Sequence, residues 1–159
     1  MTADPPQPDR PDVIARPPLL FLATLLAGLA LEYLVWPTAL VAAPWRWIAG
    51  AALVAAGLAL AVWAVRRFKA AGTNVPTPQP SLALVEDGPY RFSRNPIYVG
   101  GTLTYLGLAA LADSLWLLVL LAPLLIVLRH GVIAREEAYL EAKFGAPYRA
   151  YKARVRRWL

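Results

Sequence analysis

Two uninterrupted apolar blocks limit this chain more than any other feature. The first runs from Pro17 to Trp36 (PPLLFLATLLAGLALEYLVW) and the second from Trp47 to Val65 (WIAGAALVAAGLALAVWAV). A helix that crosses a bilayer needs about 20 predominantly apolar residues, and both blocks meet that length. The short turn between them carries Pro37 and Pro44, so the pair reads as a helical hairpin. Two shorter blocks, Ile97 to Leu111 and Leu115 to Leu128, are separated only by Ala112, Asp113 and Ser114, and read as a second hairpin with a tight turn. Asp113 or Ser114 is placed to cap the fourth helix, whose pattern continues through His130 into an amphipathic stretch around Glu136 to Phe144. Apolar residues make up 58% of the chain, above the roughly 45–50% of an ordinary soluble domain. The fold class that fits is all-α: a polytopic membrane protein of about four transmembrane helices in two hairpins, with a cytoplasmic loop and a C-terminal amphipathic helix.

The basic residues orient this scheme. Fifteen of the sixteen Lys and Arg fall before the first block, between the second and third, or after the fourth; Arg46 alone sits in a turn on the other side. Because cytoplasmic loops hold the excess of Lys and Arg, both termini and the central loop are expected in the cytoplasm, as in a plasma-membrane protein of bacterial type. The net charge of +6 then needs no nucleic acid. A basic surface beside anionic lipid is the remaining role for the tail. The chain has no cysteine, which excludes disulfide frameworks, Cys-based zinc sites, iron–sulfur clusters and thiol nucleophiles. Residues 1–16 read as a disordered tail rich in Pro and Asp, and helix one as a retained anchor instead of a cleaved signal. Residues 17–159 form one membrane-embedded unit: a first hairpin at 17–66, a cytoplasmic loop at 67–96, a second hairpin at 97–130, and a C-terminal helix with basic tail at 131–159.

Polar residues gather in two places. The central loop, GTNVPTPQPSLALVEDGPYRFSRNPIYVGG from Gly72 to Gly101, carries Pro76, Pro78, Pro80, Pro89 and Pro96 and is therefore stiff and extended. Tyr90, Arg94, Asn95 and Tyr98 crowd the start of the third helix, where Pro96 takes a typical first position. Free amide groups and the positive end of the helix dipole suit an anionic ligand group there. The second cluster follows helix four, where His130 and Glu137, seven apart on a regular helix, share a face and Glu136 points about 100° from Glu137. Glu32, in the far half of helix one near the outer interface, is the other ionisable residue of the spans, and such residues are candidates for function.

Together the segments LVEDGPYRFSRNPIYVGG (Leu84 to Gly101) and EEAYLEAKFGAPYRAYKARV (Glu136 to Val155) resemble the isoprenylcysteine carboxyl methyltransferase and phospholipid methyltransferase superfamily. That family's pattern is Gly-x-Tyr, Arg-His-Pro-x-Tyr-x-Gly, a helical hairpin, an acidic pair and Phe-Gly-x-x-Tyr-x-x-Tyr, and each element occurs here in order over roughly Gly72 to Leu159. The resemblance implies an integral-membrane enzyme that moves a methyl group from S-adenosylmethionine to a lipophilic acceptor arriving from the bilayer. It implies a cofactor wall made by Leu82, Ala83, Leu84, Val85, Tyr90, Asn95, Pro96, Ile97, Tyr98, His130 and Glu136. It also implies catalytic or acceptor-holding roles for Arg94 and Glu137. Arg94 is expected to hold an anion of the acceptor or the cofactor in preference to forming a structural clamp with Glu137. Asn95 stands where the family usually has His. Val132 stands where the isoprenylcysteine enzymes have an arginine, with Arg129 and Arg135 as the nearest replacements. These two departures leave the acceptor open between a prenylated cysteine, a phospholipid amine and a small thiol or other hydrophobe. Two other readings of the same scaffold are a membrane reductase using a nicotinamide cofactor and a non-enzymatic adaptor whose basic tail binds lipid.

Overall fold

The computed structural model describes residues 9–38, 44–75 and 79–159. The first eight residues of the expected tail, the turn near Ala39, and Pro76 and Pro78 lie outside the described residues. The described residues form six α-helices, with no strand among them: α1 (Pro17–Leu34), α2 (Trp45–Ala70), α3 (Pro96–Ala112), α4 (Leu115–Val127), α5 (Ala134–Phe144) and α6 (Ala146–Arg154).

Proline and small polar residues set the ends. Prolines occupy the first turns of α1 and α3, where a missing N–H costs nothing. α2 ends on Arg67 and Lys69, cations that favour the negative end of the helix dipole. Between α3 and α4 the two candidate caps divide the work. Asp113 takes a left-handed conformation (φ 54°) as the C-cap of α3, while the Ser114 hydroxyl accepts the Leu117 N–H at 3.4 Å as the N-cap of α4. α4 does not stop at Val127 but passes through a π-helical segment, Leu128–Ile133, directly into α5. The combined helix of 30 residues is about 45 Å long at 1.5 Å per residue, more than the roughly 30 Å hydrocarbon layer. Its polar α5 portion therefore projects beyond the membrane. Three helical stretches are long and apolar enough to cross a bilayer, and α3 is a shorter apolar helix beside them. This is an integral membrane protein.

The short turns join helices whose main packing partners lie elsewhere: α2 packs along α3, and α1 along α4. Glycine makes the α2–α3 contact possible. A Cβ on Gly57 would lie 2.5 Å from the Gly100 carbonyl oxygen, and one on Gly107 would lie 2.7 Å from that of Gly50. In both pairs the residue numbers add to the same total, so the two helices run antiparallel in one register. Close backbone approach of this kind replaces hydrophobic driving force inside a bilayer, where lipid is as apolar as any side chain. The core of the bundle is apolar, with Tyr105, Ala109, Leu117, Leu124, Leu128, Val132 and Ile133 buried.

At the end of the bundle away from the long loop, polar groups sew the turns together. Glu32 is buried and its carboxylate receives both the backbone N–H and the hydroxyl of Thr38, whose Oγ1 accepts the Leu115 N–H at 2.8 Å. Arg46 pairs with Asp113 at 3.0 Å. Glu32 is thus tied to the segment after α1 and, through Thr38, to the start of α4. That end also holds Arg46, the one basic residue the charge pattern set apart.

Candidate cofactor and acceptor cavities

At the loop end, three parts of the chain converge on the start of α3. The loop after α2 turns at Gly72 (φ 67°) and returns through Ser81–Val85, held where the Leu82 N–H donates to Thr73 Oγ1 at 2.8 Å and the Ser81 N–H to the Tyr139 hydroxyl at 3.1 Å. A short 3₁₀ turn, Gly88–Arg91, then buries Tyr90. The Tyr90 ring stacks on Phe68 at 4.8 Å between centroids, and its carbonyl accepts the buried Tyr151 hydroxyl at 2.8 Å. These contacts fix a loop of low regular structure against α2 and α6.

Between the loop, α3, α5 and α6 lies a cavity of about 810 Å³, its mouth included. Its walls are Phe68, Thr73, Asn74, Gln79, Ser81, Ala83, Leu84 and Val85, then Tyr90 and Arg94 to Tyr98, then Glu136, Glu137, Tyr139 and Leu140, then Tyr148, Tyr151 and Pro11. Small-molecule sites are commonly apolar clefts with a few convergent polar groups. Here the polar groups are few and well placed. The Tyr98 hydroxyl donates to the Glu136 carboxylate, 2.9 and 3.0 Å from its two oxygens. The Tyr90 hydroxyl is buried without a hydrogen-bond partner among the described residues. Burial also pushes the Tyr90 hydroxyl above its ordinary range, with smaller pushes from Tyr151 and Glu136, so it remains a protonated donor. A buried donor with nothing to bond to is costly unless a ligand completes it.

Glu136 and Glu137 are neighbours in sequence with different surroundings, as a 100° step on a helix requires. Glu137 turns into an ion-pair cluster: Arg94 reaches its Oε1 from Nη2 at 2.8 Å and from Nε at 3.1 Å, and Arg157 reaches its Oε2 at 2.6 Å. Arg94 also donates from Nη1 to the carbonyls of Lys152 and Val155. Both partners are nearly enclosed, with side-chain exposures of 9% for Arg94 and 6% for Glu137. In this geometry Arg94 joins the loop, α5 and the C-terminal segment as a clamp, while also bordering the cavity. The same segment accepts the Arg94 N–H at the Arg156 carbonyl and the Asn95 side-chain amide at the Arg157 carbonyl, at 2.9 Å each. Asn95 does not cap α3 with its side chain.

Two expected cofactor residues fall outside the cavity. His130 lies exposed in the π-helical segment, whose wider turn breaks the seven-residue spacing that would have put it on the Glu137 face. Leu82 is exposed at 61%, pointing away while its neighbours Ser81 and Ala83 line the wall. Val132 is fully buried in the apolar core, Arg129 is exposed, and Arg135 is engaged with Asp12, so no arginine occupies the position the isoprenylcysteine enzymes use. The wall also contains residues that no motif points to: Pro11, Phe68, Thr73, Asn74, Gln79, Ser81, Tyr139 and Leu140. Tyr148 and Tyr151 were visible as motif residues but had no assigned place.

A second, larger space opens sideways between α1, α2 and α3. It spans about 1620 Å³ with the open space at its mouth included, and its walls are mainly apolar, among them Phe21, Leu22, Leu25, Leu58, Ala61, Val65 and Leu108, with Arg16 at the loop end. Ile97 and Tyr98 line both this groove and the first cavity. The two spaces therefore share a wall at the start of α3, next to Glu136.

Comparison with known proteins places this arrangement. A family model described as phospholipid methyltransferase matches residues 45–147, from the start of α2 to the start of α6. The match reaches back through all of α2, further than the motifs suggest, and stops short of Tyr148 and Tyr151. An uncharacterized protein of Haemophilus influenzae is 53% identical over 57 residues, which is 33% of this chain and 90% of that protein. No solved structure matches the chain.

Proposed function

The chain belongs to the phospholipid methyltransferase family, and from that premise we propose that it moves a methyl group from S-adenosylmethionine, bound in the first cavity, to a lipophilic acceptor lying in the sideways groove. The observation that carries the reading is the shared wall: Ile97 and Tyr98 border both spaces, so donor and acceptor are brought together beside one hydroxyl and one carboxylate. The cofactor supplies a methyl group on a sulfonium, ready for in-line displacement.

What this chain has to contribute is alignment and exclusion of water, because orientation alone supplies much of the barrier reduction in such a transfer. Tyr90 and Tyr148 offer aromatic faces to a cation, and the Tyr90 hydroxyl, without a hydrogen-bond partner among the described residues, offers a donor. The first residues of α3, Asn95 to Ile97, bring the positive helix end to the cavity, which suits the carboxylate of an amino acid moiety. Ala83, Leu84 and Val85 give an apolar wall for the nucleoside. Arg94, Glu137 and Arg157 hold the loop and the C-terminal segment in place without touching the reacting atoms. Glu136, oriented by Tyr98, stands where the acceptor arrives. A carboxylate acceptor would face the Glu136 carboxyl there, with no arginine at the Val132 position to neutralise it. An amine acceptor would find in Glu136 a group able to take the proton it must shed before attacking. A lipid amine is therefore the acceptor class this site favours, with both chain termini and the first cavity on the cytoplasmic side.

Neither the nicotinamide reductase nor the adaptor reading gains support from the family match. The test is transfer itself. Purified protein in phospholipid vesicles, given methyl-labelled S-adenosylmethionine, should place label in the lipid extract, and Glu136→Gln should abolish it. Absence of label from the extract with aminophospholipid vesicles, together with no S-adenosylhomocysteine formed, would overturn the reading.

A further inference from the structure

We propose that the segment from Asp9 to Arg16 is a strap that closes the first cavity and detaches from α5 to let its ligand exchange. The ligand's identity rests on the methyltransferase reading; the strap and its movement do not. This stretch reads from sequence as part of a disordered tail, yet from Asp9 onward it is docked. Pro11 is buried and forms part of the cavity wall. The Ile14 N–H donates to the Gly131 carbonyl at 3.2 Å, and the Ile14 side chain fills the place a Cβ on Gly131 would take, with Cδ1 only 2.2 Å from that position.

The strap's attachments differ along its length. Near α1 it is anchored by backbone and packing: Ile14 on Gly131, and Val13 against the apolar core. Toward Asp9 it is held by exposed charges. The Asp9 carboxylate receives Lys143 Nζ at 2.6 and 2.7 Å and the Tyr139 hydroxyl at 2.8 Å, and Asp12 pairs with Arg135 at 3.2 Å. Exposed pairs of this kind are individually weak and screened by salt. The remaining described walls are packed helices and loop residues fastened by buried and part-buried contacts, including the Tyr151 bond to the Tyr90 carbonyl and the Leu82 N–H bond to Thr73. The Asp9 end is therefore the wall that opens at least cost, hinged at Ile14. The Tyr139 hydroxyl donates to Asp9 and accepts the Ser81 N–H, so the strap and the loop share one attachment point on α5.

The chain has no native cysteine, so the thiol of Pro11→Cys reports the strap alone. In full-length protein in detergent, that thiol should react slowly with a maleimide and faster as salt rises. It should react faster still when Asp9→Asn and Asp12→Asn are added. S-adenosylhomocysteine should dissociate several-fold faster from the Asp9→Asn/Asp12→Asn protein than from wild type, with the ligand-free melting temperature unchanged. Gly131→Val, which displaces Ile14, should act in the same direction. If maleimide reactivity is insensitive both to salt and to the two Asp substitutions, the strap does not open, and the proposal falls whatever binds in the cavity. If reactivity responds but S-adenosylhomocysteine dissociates at one rate from both proteins, the strap is not the exit, and the proposal falls equally. Failure of wild type to bind S-adenosylhomocysteine at all would instead refute the methyltransferase reading, and the salt and Asp dependence of labelling would still decide whether the strap opens.

Discussion

Arg94 and Glu137 form a buried contact that favours the clamp, one of two roles that sequence alone leaves open. Breaking a buried, hydrogen-bonded ion pair by removing one partner leaves an uncompensated charge and costs about 3–5 kcal/mol. Arg94→Ala and Glu137→Ala should each lower thermal stability on that scale, and the double variant should lose less than the sum, as coupled neighbours do. Additive losses in a calorimetric double-variant cycle would contradict the clamp. Tyr90 gives the opposite signature. Its hydroxyl has no hydrogen-bond partner among the described residues, so Tyr90→Phe should leave ligand-free stability unchanged or slightly raised, while weakening S-adenosylhomocysteine binding by about 0.5–1.5 kcal/mol. Melting curves and titrations on the same preparation check both halves. At this scale the sequence was legible where residue type and spacing coincide: Tyr98 and Glu136 meet as the two motifs imply. It was illegible for Pro11 and Tyr139, whose places depend on contacts between distant segments that leave no local pattern. His130 was misplaced because a π-helical segment has no clear sequence mark, yet it shifts the register of every residue after it.

Element boundaries follow from apolar length and from prolines, and the expected block from Ile97 to Leu111 differs from α3 by one residue at each end. Which helices pack together was less visible. Chain order suggests α1 with α2 and α3 with α4, whereas the main contacts are α2 with α3 and α1 with α4. The signal was present in the glycines, since Gly50 and Gly57 on one helix and Gly100 and Gly107 on the other share a seven-residue spacing. Composition alone does not say which helix such a stripe faces. Gly57→Ala should be destabilising by about 1–3 kcal/mol through overpacking, because its new methyl would lie 2.5 Å from the Gly100 carbonyl oxygen. Chemical denaturation in mild detergent measures this, and a neutral result would contradict the close approach. At the other end of the bundle, Glu32→Ala removes the acceptor for two Thr38 donors and should cost about 1–3 kcal/mol for the groups left unpaired. Transfer activity per folded molecule should be unchanged. Lost activity with retained stability would return Glu32 to the functional residues.

For the molecule as a whole, the division of labour follows the membrane. The apolar blocks supply a scaffold, the α2–α3 contact fixes the start of α3, and the long α4–α5 helix carries Glu136 out to meet it. One cavity is bordered by polar loops and the other by lipid-facing helices, and Tyr98 belongs to both. The most direct measurement is calorimetric titration of the detergent-solubilised protein with S-adenosylhomocysteine and, separately, with NADPH, repeated for Tyr98→Ala and Glu136→Ala. Saturable binding of S-adenosylhomocysteine is expected, with no heat from NADPH, and each substitution should weaken binding by about 1–3 kcal/mol. Binding of NADPH in place of S-adenosylhomocysteine, or equal S-adenosylhomocysteine affinity in wild type and both folded variants, would contradict the assignment of this cavity.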